Sequence, residues 1–280
     1  MTWVWLLLDS NLQKVSKYVA VFSKGEFNML RSTLAVAALL GAYGFAHGAA
    51  VVPSFDTFGP LAGATFNTSP TTGLPVNSGI PNDPTAFIAV APPNGPGTFW
   101  LGITAFGRYC NATLTNDGAG EFNAKPGAND GLCVGDPHSV GTTWGFGYYI
   151  KAPTQLSDYD IDLFYDLDPG AGTDLSALGR IDIDAALNAA GAGSLTLFQD
   201  AQNLNSAFFS TGNAVTTPPA FTSFNPNATG EYALMLRLSA KNGAELDHVA
   251  ILVNVVPEPA TLALLGLGLA GLGFSRRRKQ

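Results

Sequence analysis

Three aspartates at alternate positions are the side chains in this sequence whose spacing best suits shared chemistry. Asp158, Asp160 and Asp162 alternate with Tyr159 and Ile161 in one short segment. Because successive side chains of a β-strand point to opposite faces, we expect the three carboxylates to share one face. Such a face could offer oxygen ligands to calcium, but a solvated outer strand face explains the same pattern without a ligand. The solvated face is the favoured interpretation.

A second group of carboxylates lies in the turn that follows. Asp166, Asp168 and Asp174 are spread over residues 165–174, a segment rich in glycine and proline. Carboxylates and exposed carbonyls on a turn are the hard oxygen ligands that calcium prefers, so these three residues are the candidate calcium ligands. Their spacing does not fit the EF-hand loop. Aspartates that simply form turns are the favoured interpretation, and calcium is the alternative.

The sequence offers few other candidates for catalytic residues. None of His47, His138 and His248 has a companion at a spacing typical of a metal site or a catalytic triad. The sequence has no G-x-S-x-G, H-E-x-x-H or phosphate-binding glycine motif. Nothing in it selects a carboxylate pair at the separation that a glycosidase needs. We therefore predict no catalytic residues and no enzymatic activity.

Aromatic residues offer one further kind of site. Trp100, Trp144, Tyr148 and Tyr149 could together form a platform for a sugar ring. Buried aromatics of a β-sandwich core are the commoner explanation for such residues, and we favour it. The platform remains the basis of an alternative function, a carbohydrate-binding domain.

The elements that must position these residues are β-strands. Short runs of β-branched and aromatic residues alternate with glycine, proline and asparagine turns, a pattern typical of a sandwich or barrel. We predict an all-β fold, a single antiparallel β-sandwich of jelly-roll type. The predicted strands cover 86–91, 98–106, 109–115, 143–151, 158–165, 180–184, 194–199, 207–211, 231–240 and 246–255. The last two are the clearest, because Asn242-Gly243 between them predicts a hairpin turn.

The C-terminal tail has the composition of a membrane stop. It reads Val256-Pro257-Glu258-Pro259, then an apolar stretch over 260–274, then Arg276, Arg277, Arg278 and Lys279. A full span needs roughly 20 apolar residues, so this helix is short for a permanent anchor. The four cations favour the cytoplasmic side of the membrane.

This tail resembles the PEP-CTERM sorting signal of Gram-negative bacteria in its motif, its Leu/Gly/Ala helix and its terminal Arg/Lys run. The resemblance covers about the last 25 residues. It implies export, a transient stay in the inner membrane, and recognition and cleavage by an exosortase at or near Pro257-Glu258-Pro259. The final location it implies is the cell surface or the extracellular polymer matrix. An ordinary C-terminal anchor or a buried helix over 260–274 is the alternative.

The N-terminal region predicts the same export. A positive n-region from Met29, an apolar stretch over 34–45 and small residues before Val51 form a secretory signal peptide, with a signal helix and a cut between Ala46 and Val51. Residues 1–28 precede it. Lys24-Gly25-Glu26 is what a purine-rich ribosome-binding site would encode, so we expect residues 1–28 to be untranslated leader. An extended n-region is the alternative.

Charge and cysteine content agree with export. Between Ala50 and Val256 there are six basic residues and 18 acidic ones, a formal charge of −12. An acidic surface has no electrostatic reason to bind nucleic acid. The two cysteines, Cys110 and Cys133, both lie in this exported part, so we predict one disulfide. A thiol nucleophile or metal ligand is the alternative, but no third ligand is near in sequence.

These observations divide the chain and predict its role. The predicted segments are a leader (1–28), a signal peptide (29–50), an irregular lead-in (51–82), a β-sandwich passenger (83–256) and the sorting signal (257–280). We expect an exported, non-enzymatic surface or matrix protein associated with exopolysaccharide. Its expected partners are signal peptidase, an exosortase, the membrane before processing, and extracellular polysaccharide. A carbohydrate- or calcium-binding domain with glycan-directed activity is the alternative, and no cofactor is predicted beyond that calcium.

Overall fold

The computed structural model describes residues 49–68, 75–92, 95–108, 113–128 and 141–257. The predicted leader, nearly all of the predicted signal peptide, both cysteines and the chain from Glu258 onward lie outside these residues. Within the described ranges no helix is long and apolar enough to cross a membrane. The predicted helix over 260–274 and the basic cluster behind it lie outside that statement.

The described chain consists mainly of β-strands, so the all-β prediction is confirmed. In chain order the strands are β1 (Thr57–Gly59), β2 (Phe66–Thr68), β3 (Pro75–Gly79), β4 (Thr85–Val90), β5 (Phe99–Gly107), β6 (Thr115–Asn116), β7 (Glu121–Ala124), β8 (Trp144–Lys151), β9 (Tyr159–Tyr165), β10 (Gly179–Asp182), β11 (Leu197–Gln202), β12 (Thr216–Thr217), β13 (Gly230–Ala240) and β14 (Glu245–Val255). Two short helices, α1 (Ile183–Ala189) and α2 (Ala207–Thr211), lie between them.

The strands form two large sheets and one small hairpin. The five-stranded sheet has the order β1-β4-β5-β8-β11, and the seven-stranded sheet has the order β12-β10-β9-β13-β14-β7-β6. Within the described residues, β2 and β3 pair with each other and belong to neither large sheet. The long closing hairpin of β13 and β14 lies in the middle of the larger sheet, and Asn242 in its turn has a φ of 53°. The hairpin is the one predicted, but Lys241 and Asn242 are the central residues of its turn, because the Gly243 N–H donates to the Ala240 carbonyl at 2.8 Å.

One strand pair corrects the predicted antiparallel arrangement. β7 runs parallel to β14, with Glu121 opposite Leu252 and Ala124 opposite Val255. Parallel neighbours cannot be joined by a short hairpin and need a long connection. β7 and β14 satisfy this because most of the domain's sequence lies between them. The sheet is therefore mixed at the strand that leads to the C-terminus.

Apolar side chains from both sheets share one core. Phe99, Leu101 and Ile103 of β5 and Leu234 and Leu236 of β13 are fully buried members of the same cluster. This is the alternation that the sequence of these strands predicts, since every second side chain points inward. Aromatic contacts connect the two sheets: the rings of Phe99 and Tyr159 meet edge to face at 4.8 Å, and those of Trp144 and Tyr232 lie 5.8 Å apart.

The segment predicted as an irregular lead-in is an ordered part of the domain. The Val51 N–H donates to the Thr173 carbonyl at 3.2 Å, and Ser54 and Ala250 exchange two backbone hydrogen bonds of 3.0 and 2.8 Å. Val51 itself is buried in a second cluster, on the outer face of the seven-stranded sheet, which includes Phe164, Met235 and Leu252. The chain then reaches the other sheet, where β1 pairs with β4.

Further residues of the lead-in pack on the outer face of the five-stranded sheet. Leu61, Ala64 and Ile80 form a third cluster there with Tyr149. Gly147 makes this approach possible, because a Cβ at that position would lie 2.1 Å from Cγ2 of Ile80. The sequence did not predict these contacts, because the proline, threonine and asparagine residues of this segment indicate turns and leave no periodic apolar pattern.

The structure differs from the prediction at two of the predicted strands. Residues 207–211 form α2, not a strand, and its Phe209 packs against the Tyr165 ring at 4.6 Å. A five-residue helix is too short to show a 3.6-residue period. The strand predicted over 180–184 ends at Asp182, because the Asp182 carboxylate accepts the Ala185 N–H at 2.9 Å and caps α1.

Adjacent valines test whether the lead-in belongs to the folded domain. Val51 is 8 % exposed and Val52 is 64 % exposed. Val51→Ala should lower the free energy of unfolding by about 1.5 kcal/mol, since two methylene equivalents leave the outer cluster. Val52→Ala should change it by less than about 0.5 kcal/mol. Urea unfolding of the exported protein measures both, and equal effects would show that the lead-in does not pack as described.

Candidate functional site

The last strand carries the predicted sorting motif directly. β14 ends at Val255, which is paired on both edges: with Gly230 of β13 on one side and with Ala124 of β7 on the other. The Val255 side chain is 1 % exposed. No linker therefore separates the packed core from the motif that begins at Val256.

Within the described residues, the strand pairing of β14 reaches the first proline of the motif. The Val256 N–H still donates to the Ala124 carbonyl at 3.0 Å, while its side chain is 46 % exposed. Pro257 has no N–H and cannot extend the ladder. Pro257 is also exposed, and the described chain ends there. Val256 and Pro257 thus mark the change from sheet to sorting signal, while Glu258 and Pro259 lie outside the described residues.

Polar residues surround this junction on the outer face of the sheet. Asn254 donates to Oε2 of Glu121 at 3.1 Å and lies opposite Glu231 of β13. Oε1 of Glu231 accepts the Gly172 N–H at 2.8 Å. The acidic turn that the sequence marked as a calcium candidate therefore lies at the same end of the domain as the exit of the chain.

The aspartates of this turn act as acceptors for the backbone. Asp166 accepts the Asp168 N–H at 2.8 Å, and Asp168 accepts the Gly170 N–H at 2.9 Å. Asp166 is 2 % exposed, and burial raises its pKa. Asp174 lies in a strand bridge with Ala50. In the part of the chain that the structure describes, no three His, Cys, Asp or Glu side chains are grouped to hold a metal ion.

The aspartates of β9 are neutralised by basic side chains. Asp162 is 3 % exposed; its two oxygens contact Nε of Arg180 at 2.5 Å and Nη2 of Arg237 at 2.7 Å. The Arg237 guanidinium also lies over the Phe164 ring, 4.6 Å from its centroid. A carboxylate held by two guanidinium groups is a structural ion pair and leaves little for a calcium ion to bind.

A second ion-pair group lies beside the first. Nζ of Lys241 contacts Asp184 at 2.6 Å and Asp160 at 3.0 Å. Burial alone would raise the pKa of Asp160, but hydrogen bonds from Lys241 and from the Asn242 N–H hold it below its usual value. Asp158 is exposed and belongs to a 3-10 turn, Leu156–Asp158. Two of the three predicted aspartates therefore share the outer face, and neither is a free ligand.

The basic partners were missed at the level of sequence. Arg180, Arg237 and Lys241 are half of the six basic residues between Ala50 and Val256, and all three meet the aspartates of one sheet face. Arg237 could have been recognised as an ion-pair residue from the sequence, since it interrupts the apolar alternation of a strand rich in leucine. In a domain with so few cations, such a residue predicts a buried carboxylate partner.

The aromatic platform, which the sequence left open as the less favoured alternative, is not formed by these residues. Trp144, Tyr148 and Tyr149 are each no more than 3 % exposed, and Trp144 and Tyr149 lie on opposite sides of their sheet, in different clusters. Trp100 is partly buried against Phe87, with ring centroids 6.0 Å apart. These residues hold the sheets and the lead-in together. Among the histidines, His248 contacts Glu245 at 2.6 Å, while His47 and His138 lie outside the described residues.

The comparison with known protein families decides what the junction is. The family model of the PEP-CTERM protein-sorting motif matches residues 255–279. The chain carries a PEP-CTERM sorting motif. The motif marks an exported protein that an exosortase processes and that is sorted toward the cell surface. Neither the curated proteins nor the solved structures contain a significant match to the chain.

The PEP-CTERM match starts inside the fold. Its first residue, Val255, is the last residue of β14, and its second, Val256, is still hydrogen-bonded to β7. The predicted PEP-CTERM signal is confirmed, and the residues assigned to its motif, Val256 to Pro259, lie inside the matched range. β7, the strand that pairs with the end of β14, was not predicted, because its four residues, Glu-Phe-Asn-Ala, give no strand signal.

The Asp162 ion pair gives a stability test. Asp162→Ala removes the carboxylate that Arg180 and Arg237 share, so the free energy of unfolding should fall by about 1.5 kcal/mol, the low end for charge-assisted hydrogen bonds, since both arginine side chains still reach water. Asp158→Ala, at an exposed position, should change it by less than about 0.5 kcal/mol. Urea unfolding measures both. Similar small losses would mean that the ion pair contributes no stability.

Asp200 gives a test that depends on pH. Burial raises the pKa of Asp200, although the Ala201 N–H and Nε2 of Gln202 donate to it at 2.8 and 2.5 Å. A raised pKa means that the protonated carboxyl favours the folded state, and this contribution is lost as the pH rises through the folded pKa. Asp200→Asn cannot ionise. Its stability relative to the parent should therefore increase from about pH 4 to about pH 7.

Urea unfolding at several pH values measures this difference. Asp158→Asn, the same substitution at an exposed position, is the matched control. A constant difference between Asp200→Asn and the parent would contradict the burial of that charge.

Proposed function

We propose that this chain is a non-enzymatic surface or matrix protein, a β-sandwich passenger that an exosortase detaches from the inner membrane of a Gram-negative bacterium. The observation that carries the proposal is the position of the PEP-CTERM motif, whose match starts on Val255, the last residue of β14. The passenger is thereby attached to its sorting signal without a spacer. The shared core of the two sheets supports the sandwich arrangement.

The proposed route begins with export through the signal peptide over 29–50, which signal peptidase removes. The apolar segment over 260–274 then stops in the inner membrane, with Arg276, Arg277, Arg278 and Lys279 on the cytoplasmic side. The exosortase meets Pro257-Glu258-Pro259 on the outer side. Processing leaves the passenger at the surface or in the extracellular polysaccharide.

The state of the polar side chains supports a non-enzymatic passenger. Asp160, Asp162 and Asp184 are occupied by Arg or Lys partners, and Asp166 and Asp168 bind backbone N–H groups of their own turn. The aromatic residues considered for sugar binding are packed in clusters. A negatively charged, well-packed passenger suits a matrix component that stays soluble until it is retained.

The flanks of the cysteine segments support the proposed Cys110–Cys133 disulfide. The Arg108 N–H donates to the Thr143 carbonyl at 3.0 Å, and the Thr143 N–H donates to the Gly127 carbonyl at 3.2 Å. Both cysteine-bearing segments therefore leave the described fold beside Thr143. In the chain-entropy model a loop of this length stabilises a protein by roughly 3 kcal/mol when it is closed.

Replacing the two prolines of the motif tests the proposal. In a host that has the exosortase, the parent should appear outside the cell without the segment over 260–279. The double variant Pro257→Ala, Pro259→Ala should accumulate uncut in the membrane fraction, because alanine no longer keeps the backbone extended around Glu258. Cell fractionation and mass spectrometry measure both.

A double alanine variant elsewhere is the control. Pro218→Ala with Pro219→Ala changes two prolines of the passenger and should be processed like the parent. Recovery of parent protein from the medium with an intact Gln280, or processing of the motif variant at the parent's rate, would contradict the proposal.

A further inference from the structure

The pairing at the end of β14 limits where the sorting signal can be cut. Val255 is paired with Gly230 and with Ala124, and the next residue, Val256, keeps a 3.0 Å hydrogen bond to the Ala124 carbonyl. The backbone is therefore engaged on both edges through Val255 and on one edge at Val256. The first residue of the PEP-CTERM motif without an N–H to pair is Pro257.

A protease needs a substrate backbone that is free. It holds several residues around the scissile bond in an extended form, largely through main-chain hydrogen bonds, as in strand addition to a sheet. Its nucleophile must also come within about 3–3.5 Å of the scissile carbonyl carbon. A residue in the middle of a sheet offers neither, since its hydrogen-bonding groups are used and neighbouring strands cover both edges.

Opening the end of β14 would also disturb the core. Val253 and Val255 are inward-facing residues with 0 % and 1 % exposure, and both belong to the main cluster. Freeing the backbone at Val255 removes these side chains from their contacts and breaks pairing with both β13 and β7. Local opening of this kind is least frequent where buried apolar contacts are dense.

We propose that the sheet restricts exosortase cleavage to the C-terminal side of Pro257, so that the mature protein retains Val256 and Pro257. The inference rests on the proposed function, since it presupposes processing. In the cut, the amide C–N bond breaks. With water as the nucleophile, the carbonyl carbon keeps its oxygen and gains a second one as a carboxylate, and the released nitrogen becomes an amine. The fold thus sets the position of the mature C-terminus.

The position of the new terminus is the first test. The full chain is expressed in a host with the exosortase, and the C-terminal peptide of the exported protein is sequenced by mass spectrometry. We expect it to end at Pro257 or at a later residue. An end at Val256 or earlier overturns the inference, whereas an intact end at Gln280 contradicts the proposed function instead.

A spacer tests whether the sheet is the cause. Inserting Gly-Ser-Gly-Ser between Val256 and Pro257 moves the motif away from the paired strand, so processing should become severalfold faster in a pulse-chase experiment. The matched control carries the same insertion between Asn242 and Gly243, in the exposed turn at the other end of β14, where insertions are tolerated. The control should be processed at the parent's rate.

Two outcomes of the spacer experiment contradict the inference. An unchanged rate with the junction spacer means that pairing at Val255 and Val256 does not limit the enzyme. Equal acceleration by both insertions means that a general loosening of the domain, and not the freed junction, exposes the motif.

Discussion

The pairing of β14 on both edges is the constraint on which the rest of the structure depends. β13 pairs with it along nearly its whole length, and β7 and Ser54 pair with its other edge. Its inward side chains, Val249, Ile251 and Val253, are fully buried. The same strand therefore completes the hydrogen bonding of the larger sheet, fills the core and carries the sorting signal. A change that loosens it alters stability and processing together.

On the outer face of the same sheet, buried carboxylates are paired with basic side chains. The exported part has 18 acidic residues against six basic ones, so most carboxylates must remain in water. The buried carboxylates of Asp162 and Asp184 are paired with Arg180, Arg237 and Lys241. Three of the six cations thus neutralise two buried carboxylates on this side of the domain, whereas the buried Asp166 accepts a backbone N–H instead. This distribution explains why the aspartate pattern of β9 resembles a ligand site in sequence and is an ion-pair network in the fold.

The sequence predicted those strands whose pattern lies within the strand itself, and it missed the pairings that depend on distant residues. The strands predicted over 86–91, 98–106, 143–151, 158–165, 231–240 and 246–255 are confirmed to within one residue at each end. Their alternation is a property of each strand alone. β7 could not be predicted, because its position beside β14 depends on tertiary pairing across more than a hundred residues. The pairing of Ser54 with Ala250 escaped for the same reason.

The same distinction applies to the candidate site, where the signal was predictable from sequence and its accessibility was not. The sorting signal is a property of the local sequence, and the family comparison identifies it over residues 255–279 without reference to the fold. The accessibility of its individual bonds is not encoded in those residues, because it depends on Ala124 and Gly230, which hold the strand before the motif. A motif model therefore identifies the signal, while the sheet determines how much of it an enzyme can reach. In this chain the sheet and the signal overlap at Val255 and Val256, and Pro257 is the first residue of the signal that has no N–H to join a ladder.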